Sequence, residues 1–268
     1  MADVLFIDSG VGGLSVWREV KLLNPNLGCT YVFDNRFFPY GEKPDDIIVE
    51  RCVRMTKAVM ASSSTAFDLV VVACNTASTV ALPAMRSALS VPVVGVVPAV
   101  KPAAQLSASN VIGLLATPAT IRRSYIDRLI AEHASNCRVI RVGSSLLVRM
   151  AEEKLKHGRV RSGNMSEILK DFIAEPHLDT VVLGCTHFPW LKNEIEGALP
   201  DGIRCIDSGE AIARRVGSLL SAGGGDEGGR TGPPKCHALM TDAGCEDYLS
   251  YRQLFQNLGF EDLGELTI

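Results

Sequence analysis

Two stretches of this 268-residue chain decide its fold: VVVACNT at residues 70–76 and TVVLGCT at residues 180–186. Each is an apolar run of β-forming residues that leads into a cysteine and small polar residues. In a chain of alternating strands and helices, this pattern places each thiol at the carboxyl end of a parallel strand, just before a helix. Ligands bind at that edge of a parallel sheet, and a helix N-terminus favours a thiolate over a thiol. Two such cysteines, one in each half, suggest acid–base chemistry on both faces of one substrate.

The segments around the two cysteines also repeat in order, at a nearly constant offset. Chance is the alternative explanation, because any α/β protein contains similar apolar runs. The polar residue that ends each matched strand favours a true duplication. The matched pairs are residues 4–10 with 111–117, residues 29–33 with 137–141, and Cys74 with Cys185.

Strand-like runs alternate with polar stretches that suit helices, such as residues 47–61 and 165–174. This alternation predicts βαβ units and parallel sheets. We therefore predict an α/β fold of two pseudo-symmetric parallel-sheet domains, the first formed by residues 1–97 plus 208–268 and the second by residues 98–207. The strand-like runs are residues 4–7, 30–33, 69–73, 91–97, 111–115, 138–142 and 180–183.

The C-terminal part of the chain contains its one low-complexity segment, the glycine-rich residues 223–234. A segment of this composition cannot bury a core, so we predict a flexible surface loop. Before it, residues 210–220 suit a helix. The tail at residues 236–268 returns to ordinary globular composition, and we expect it to pack onto one of the two halves.

The bulk composition excludes several classes of protein. A net charge of −3, with no basic run, argues against a nucleic-acid-binding surface. The first strand begins within a few residues of the N-terminus, so we expect no signal peptide, and no apolar segment is long enough to span a membrane. The eight cysteines are scattered without CxxC pairs, which suits reduced thiols. We predict a cytoplasmic protein.

The turn DSGVGG at residues 8–13 ends the first strand with a carboxylate and passes through three glycines into a helix. Exposed backbone N–H groups in such a turn bind anions. The glycine spacing is not that of a dinucleotide fingerprint, and a small carboxylate ligand fits the turn better. The structural alternative is a tight turn in which Asp8 caps the helix.

His187 is the histidine with the most informative neighbours, because it stands two residues after Cys185. It is placed to give a proton to a substrate or to tune the thiol. No metal site is predicted, since Cys236 and His237 lack further ligands at zinc-finger spacing. No cofactor site is predicted either, because Lys101 lies between prolines without a phosphate-binding cup.

Several spaced motifs now resemble those of bacterial glutamate racemases, members of the cofactor-independent aspartate/glutamate racemase superfamily. The resemblance covers essentially the whole chain and implies two α/β domains with the active site between them. Residues 147–155 look like the gamma-proteobacterial variant. The motifs are DSGVGG at 8–13, PYG at 39–41, CNTAS at 74–78, TPAT at 117–120 and GCTHFP at 184–189.

The resemblance also implies roles for individual residues. Cys185 removes the α-proton of L-glutamate and Cys74 protonates the opposite face, with the roles exchanged for D-glutamate. Asp8 is similar to the residue that assists Cys74, and His187 to the one that assists Cys185. Glu152 matches a further acidic residue beside His187, although the adjacent Glu153 leaves that register open. Substrate-contacting positions are Asp8, Ser9, Pro39, Tyr40, Gly41, Cys74, Asn75, Thr76, Thr117, Thr120, Cys185, Thr186 and His187.

The function implied by the resemblance is interconversion of L- and D-glutamate, which supplies D-glutamate for peptidoglycan without a cofactor. Some relatives require UDP-N-acetylmuramoyl-L-alanine as an activator, and its need here stays open. A homodimer is compatible with a cleft between the two halves. Two alternatives also remain open: a related racemase or isomerase for another small acid such as aspartate, and a non-catalytic glutamate-binding protein.

Overall fold

The computed structural model describes residues 2–63, 66–160, 164–222 and 234–268. All strand pairs in these ranges are parallel. The strands are β1 (Asp3–Asp8), β2 (Gly28–Phe33), β3 (Leu69–Val72), β4 (Val93–Gly95), β5 (Val111–Ala116), β6 (Arg138–Gly143), β7 (Thr180–Leu183), β8 (Arg204–Ile206), β9 (Cys236–Met240) and β10 (Asp262–Glu265).

Helices follow most of the strands, as expected for βαβ units. None of those in the described ranges is long and apolar enough to cross a membrane. The helices are α1 (Leu14–Leu23), α2 (Asp45–Ser62), α3 (Asn75–Ala88), α4 (Val100–Leu106), α5 (Pro118–Arg122), α6 (Ser124–His133), α7 (Ser145–His157), α8 (Met165–Ile168), α9 (Lys170–Ile173), α10 (Lys192–Glu196), α11 (Gly209–Ala222) and α12 (Tyr248–Asn257), with 3₁₀ turns at Asn35–Phe37, Tyr40–Glu42 and Phe188–Leu191.

The strands form two sheets whose central parts have the same topology. The first sheet has the order β10-β9-β2-β1-β3-β4, and the second has the order β6-β5-β7-β8. The series β2-β1-β3-β4 therefore has the same connectivity as β6-β5-β7-β8. Residues of β3 and β7 are buried along their whole length, because helices cover both faces of each sheet. The predicted α/β fold with two parallel sheets is confirmed.

The division of the strands follows the proposed domain boundaries, which we retain as a proposal. Strands β1–β4, β9 and β10 belong to the first sheet, and β5–β8 belong to the second. The chain passes between the sheets near residues 97 and 208, where the hydroxyl of Ser208 donates to the Val97 carbonyl. The two connecting segments are thus held together where the halves join.

Three strands were not predicted, and each lacks the usual sequence pattern. Strand β8 has three residues and exposes Arg204, while β10 carries two charged residues at the edge of the first sheet. Strand β9 contains His237 and pairs with β2, although the whole second sheet lies between these two strands in the sequence. The tail packs onto the first half, as expected, and extends its sheet by two strands.

Two other expectations are modified or lie outside the described residues. The helix expected at residues 165–174 is divided into α8 and α9. The helix expected at residues 210–220 is present as α11. The glycine-rich loop predicted at residues 223–234 falls outside the described ranges except for Pro234.

A buried ion pair joins four segments of the first half. The guanidinium of Arg51, on α2, donates to both oxygens of Asp34 at 2.8 and 2.7 Å. The same carboxylate accepts hydrogen bonds from the hydroxyls of Tyr40 at 2.8 Å and Thr241 at 2.6 Å. Asp34 follows β2 and Thr241 follows β9, so this carboxylate ties the tail and the Tyr40 turn to the first sheet.

Replacement of Arg51 by methionine tests this arrangement. The change leaves the buried Asp34 charge without its cation, and we expect the free energy of unfolding to fall by about 3 kcal/mol. Urea denaturation measures the change. The control is Arg54→Met on the same helix, whose exposed pair with Glu50 should contribute less than about 0.5 kcal/mol. Equal losses in the two variants would contradict the assigned role of Asp34.

Candidate active site

The two strand-end cysteines lie at equivalent places in the two sheets. Cys74 follows β3 and occupies the N-cap of α3, as predicted. Cys185 follows β7, but a turn and the 3₁₀ segment Phe188–Leu191 come after it instead of an α-helix. Both thiols are buried and unpaired. A charge on Cys185 is among the influences that raise the pKa of Cys74, so each thiol lies within electrostatic reach of the other.

Strand register explains why polar residues gather around these thiols. In the first sheet Ile7 pairs with Val72, so Asp8 and Ser9 leave β1 beside Cys74. The Ser9 hydroxyl lies 4.0 Å from the Cys74 sulfur. In the second sheet Leu115 pairs with Leu183, so the Thr117 turn leaves β5 beside Cys185. The same register thus builds both sides of the site.

A buried imidazole and carboxylate accompany Cys185. The Cys185 sulfur lies 3.9 Å from Nδ1 of His187, and Nε2 of His187 lies 2.7 Å from Oε2 of Glu152. Burial disfavours the charged imidazolium, but hydrogen bonds to Cys185 and Glu152 outweigh it and raise the pKa of His187 well above its usual value. His187 is therefore expected to be doubly protonated at neutral pH.

Glu152, rather than Glu153, lies beside His187. Glu152 is buried on α7, where its Oε1 accepts a hydrogen bond from the Tyr251 hydroxyl at 2.9 Å. The backbone N–H of Val11 also donates to Oε2 at 3.4 Å. Glu153 instead pairs with Lys156 at 2.9 Å, in a more exposed position. The sequence left open which of the two adjacent glutamates lies beside His187, and the geometry favours Glu152.

Asp8 is the buried carboxylate on the Cys74 side. It accepts the N–H groups of Ser9 and Gly13, both at 2.7 Å, and the Tyr31 hydroxyl at 3.0 Å. Burial raises the pKa of Asp8 to about 6, against the opposing influence of His187 and of these two backbone donors. Asp8 is therefore largely ionised at neutral pH and close to its titration range.

Cys74 does not show the low pKa expected at a helix N-terminus. Burial, followed by repulsion from Asp8, raises the pKa of the Cys74 thiol well above its usual value. The N–H of Ala77, in the first turn of α3, acts in the opposite direction but is outweighed. Complete desolvation thus exceeds the effect of the helix terminus, and Cys74 is a neutral thiol in this conformation.

The glycine-rich turn packs closely against the imidazole of His187. A Cβ atom at Gly12 would lie 2.2 Å from Nδ1 of His187, so only glycine lets the imidazole approach the turn. The N–H of Gly13 donates to Asp8 and that of Val11 donates to Glu152. Two of the N–H groups that the sequence offered to a ligand are therefore already used within the protein.

Three threonines from the two halves meet at one point of the cleft. The Thr76 hydroxyl, at the start of α3, lies 3.2 Å from the hydroxyls of both Thr117 and Thr120. Thr117 also caps α5 by accepting the Thr120 N–H at 3.2 Å. Gly41 lies against Thr117, where a Cβ atom would come within 3.2 Å of the threonine Cβ. The cluster is a ready source of hydroxyl donors.

The other predicted contact residues lie nearby but are partly engaged within the protein. Asn75 donates from Nδ2 to the Val96 carbonyl at 3.4 Å. The Thr186 carbonyl accepts the Ser15 hydroxyl at 2.8 Å, and Tyr40 directs its hydroxyl to Asp34. Pro39 immediately precedes the Tyr40 turn.

Four residues that the sequence did not indicate complete the site. Tyr31 and Tyr251 donate to the two carboxylates, and the Trp190 indole donates to the Gly12 carbonyl at 3.0 Å. The Phe38 ring lies 5.7 Å from the His187 ring. Each occupies an apolar or amphipathic stretch typical of a core residue, so only the three-dimensional contacts reveal it. Within the described ranges, no group of three or more His, Cys, Asp or Glu side chains is arranged to hold a metal ion.

Two buried thiols at equivalent strand ends of the two sheets, one near Asp8 and the other beside the His187–Glu152 pair, are the groups of an acid–base enzyme that acts on both faces of one carbon. The Asp/Glu/Hydantoin racemase family profile matches residues 22–216. The glutamate racemase of Pectobacterium carotovorum is 52% identical over 219 residues, covering 81% of this chain and 76% of that protein. That of Sodalis glossinidius is 45% identical over 269 residues, covering 99% and 91%. The chain belongs to the Asp/Glu/Hydantoin racemase family.

Solved structures agree with this assignment. The structure of Escherichia coli glutamate racemase in complex with L-glutamate and the activator UDP-MurNAc-ala has a TM-score of 0.92 at 44% identity, covering 99% of this chain and 98% of that one. Bacillus anthracis glutamate racemase isoform RacE1 has a TM-score of 0.83 at 26% identity, covering 100% and 97%.

The ion pair of His187 with Glu152 predicts a measurable titration. The pKa of His187 should lie above 6.5, and Glu152→Gln should lower it because the neighbouring negative charge is lost. A histidine whose folded pKa exceeds its unfolded value stabilises the fold fully below the unfolded pKa, and this contribution is lost as pH rises through the folded pKa. NMR titration of the imidazole nitrogens measures the shift, with Glu153→Gln as the control. Equal pKa values in both variants would exclude the assigned pairing.

Proposed function

We propose that this protein is a glutamate racemase that interconverts L- and D-glutamate with its own side chains as acids and bases. The observation that carries the proposal is the pair of buried thiols at equivalent strand ends of the two sheets, with Asp8 near Cys74 and the His187–Glu152 pair beside Cys185. Inversion at a carbon requires a proton to leave one face and another to arrive at the opposite face. Two thiols, one from each half of the chain, match that requirement. Relatives of this chain are named glutamate racemases.

In the direction from L- to D-glutamate, Cys185 takes the α-proton. The C–H bond breaks, an S–H bond forms, and the electron pair stays on the α-carbon. Cys74 then gives its thiol proton to the opposite face, so that its S–H bond breaks and a new C–H bond forms. The raised pKa of Cys74 keeps it as a thiol, ready for this step. His187 is within reach to exchange the proton of Cys185.

In the reverse direction Cys74 is the base and must first lose its proton. Asp8 is the candidate acceptor, since its pKa of about 6 leaves it mostly ionised at neutral pH. His187, which is protonated beside Glu152, then supplies a proton on the Cys185 side. Thus the buried carboxylates act on opposite thiols, although they lie within electrostatic reach of each other.

The substrate carboxylates are assigned to the polar groups that line the cleft. Ser9, close to the Cys74 sulfur, and Thr186, beside Cys185, suit the α-carboxylate. We assign further donor roles to the Thr76, Thr117 and Thr120 hydroxyls and the Asn75 amide, and the adjoining wall to Pro39, Tyr40 and Gly41, of which Gly41 lies against Thr117. Fixed donors in a water-poor cleft stabilise the charge that develops during proton removal.

Supply of D-glutamate for peptidoglycan, and a cytoplasmic location, are part of this proposal. All eight cysteines are free, which suits a reducing compartment. The E. coli relative was crystallised with the activator UDP-MurNAc-ala as well as L-glutamate. We therefore propose that the same precursor raises the activity of this protein. The suggested homodimer stays a prediction.

The activity is tested by incubating the purified protein with L-glutamate and following circular dichroism, with and without the precursor. Loss of the signal is expected with glutamate but not with L-aspartate. Cys74→Ser and Cys185→Ser should each lower the rate by at least about 10²-fold, the lower range for general acid–base catalysis. Cys137→Ser, at a partly exposed thiol, is the control. Full activity in either active-site variant, or no turnover in the unaltered protein, would overturn the proposal.

Ionisation of Asp8 predicts the acid side of the pH profile. With D-glutamate as substrate the charged form of Asp8 is needed to accept the Cys74 proton, and its pKa is about 6, so kcat/KM should fall about tenfold per pH unit below that value. Asp8→Asn should remove this limb and lower the rate at higher pH. Asp127→Asn, at an exposed pair with Arg141, should leave the profile intact. A limb near pH 6 that persists in Asp8→Asn would assign it to another group.

A further inference from the structure

Two buried phenols make the same contact with the two carboxylates of the site. Tyr31, on β2, places its hydroxyl 3.0 Å from Oδ2 of Asp8 and 3.1 Å from the Gly10 carbonyl. Tyr251, on α12, donates to Oε1 of Glu152 at 2.9 Å. Each carboxylate therefore has one phenol among its donors, and neither phenol is among the residues assigned to the substrate.

The two tyrosines are held by one aromatic cluster. The ring of Phe33 lies 6.3 Å from that of Tyr31 and 5.1 Å from that of Tyr251. The ring of Phe255 lies 5.7 Å from Tyr31 and 5.5 Å from Phe33. These side chains come from β2 and from α12, so the tail of the chain and a central strand form a shared support. Packed rings have few alternative rotamers, which fixes the position of each hydroxyl.

The contacts fix the orientation of each carboxylate. With Oε1 of Glu152 held by Tyr251, Oε2 is directed to His187 at 2.7 Å. On the other side, Tyr31 and the N–H groups of Ser9 and Gly13 hold both oxygens of Asp8. Burial raises the pKa of both phenols, so each remains a proton donor in its hydrogen bond.

We propose that Tyr31 and Tyr251 are positioning residues for the two acid–base partners of the racemase, Tyr31 for the Cys74 side and Tyr251 for the Cys185 side. This inference rests on the proposed function. Each phenol orients its carboxylate without touching the substrate. Loss of the Tyr251 hydroxyl slows proton transfer at Cys185, and loss of the Tyr31 hydroxyl slows transfer at Cys74.

The test uses Tyr251→Phe and Tyr31→Phe with glutamate deuterated at the α-carbon. Each should lower kcat about tenfold, less than the roughly 10²- to 10⁴-fold contributed by a group that itself transfers the proton, with KM nearly unchanged. In Tyr251→Phe the isotope effect on kcat/KM should rise with deuterated L-glutamate, because abstraction by Cys185 becomes more limiting, and fall with deuterated D-glutamate. In Tyr31→Phe the two changes should be reversed. General loosening of the site has no reason to produce such opposite shifts.

The matched control is Tyr248→Phe, on the same helix, whose hydroxyl contacts the Leu263 carbonyl at 3.4 Å instead of the site. It should leave the rate and both isotope effects unaltered. Either tyrosine variant alone is decisive: shifts of the same sign with the two substrates, or unaltered kinetics, would overturn the inference. If one variant does not fold, the other still tests it. Absence of turnover in the unaltered protein would instead refute the proposed function.

Discussion

The buried ion pair between Glu152 and His187 is the interaction on which the site depends most. Its members come from α7 and from the turn after β7, both in the second half of the chain. The first half supplies Val11, which donates to Glu152, and Gly12, which gives room for the imidazole. Tyr251, in the C-terminal tail, donates a hydrogen bond to Oε1 of Glu152. A charged pair removed from water is stable only when its remaining atoms find partners, so both halves and the tail are required.

This constraint accounts for several features together. Gly12 is required because any larger residue would collide with His187. The tail extends the first sheet and places α12 beside α7, where Tyr251 reaches Glu152. The same burial raises the pKa of Asp8 and Cys74 and so places neighbouring groups in different protonation states. A proton-transfer site requires such differences.

Much of the fold and of the site is visible in the sequence. Central parallel strands are apolar runs of β-branched residues, so β3 and β7 were predicted with their cysteines at the carboxyl ends. Asp8 and His187 stand next to strand ends and were found for the same reason. In contrast, β9 and β10 have mixed polarity because they lie toward the edge of a sheet. Tyr31 and Tyr251 cannot be distinguished in sequence from core aromatics, since their role depends on where a single oxygen lies. The neutral state of Cys74 also depends on burial, which no local motif encodes.

The central claim is that two separate bases act on opposite faces of one carbon. Early turnover of L-glutamate in D2O tests it most directly, with the α-position of both enantiomers followed by NMR after chiral separation. The account predicts that newly formed D-glutamate carries deuterium, because its α-proton comes from solvent-exchanged Cys74, while unreacted L-glutamate keeps its original proton. Deuterium entering the L-glutamate pool as fast as the product forms would indicate a single base serving both faces and would contradict the account.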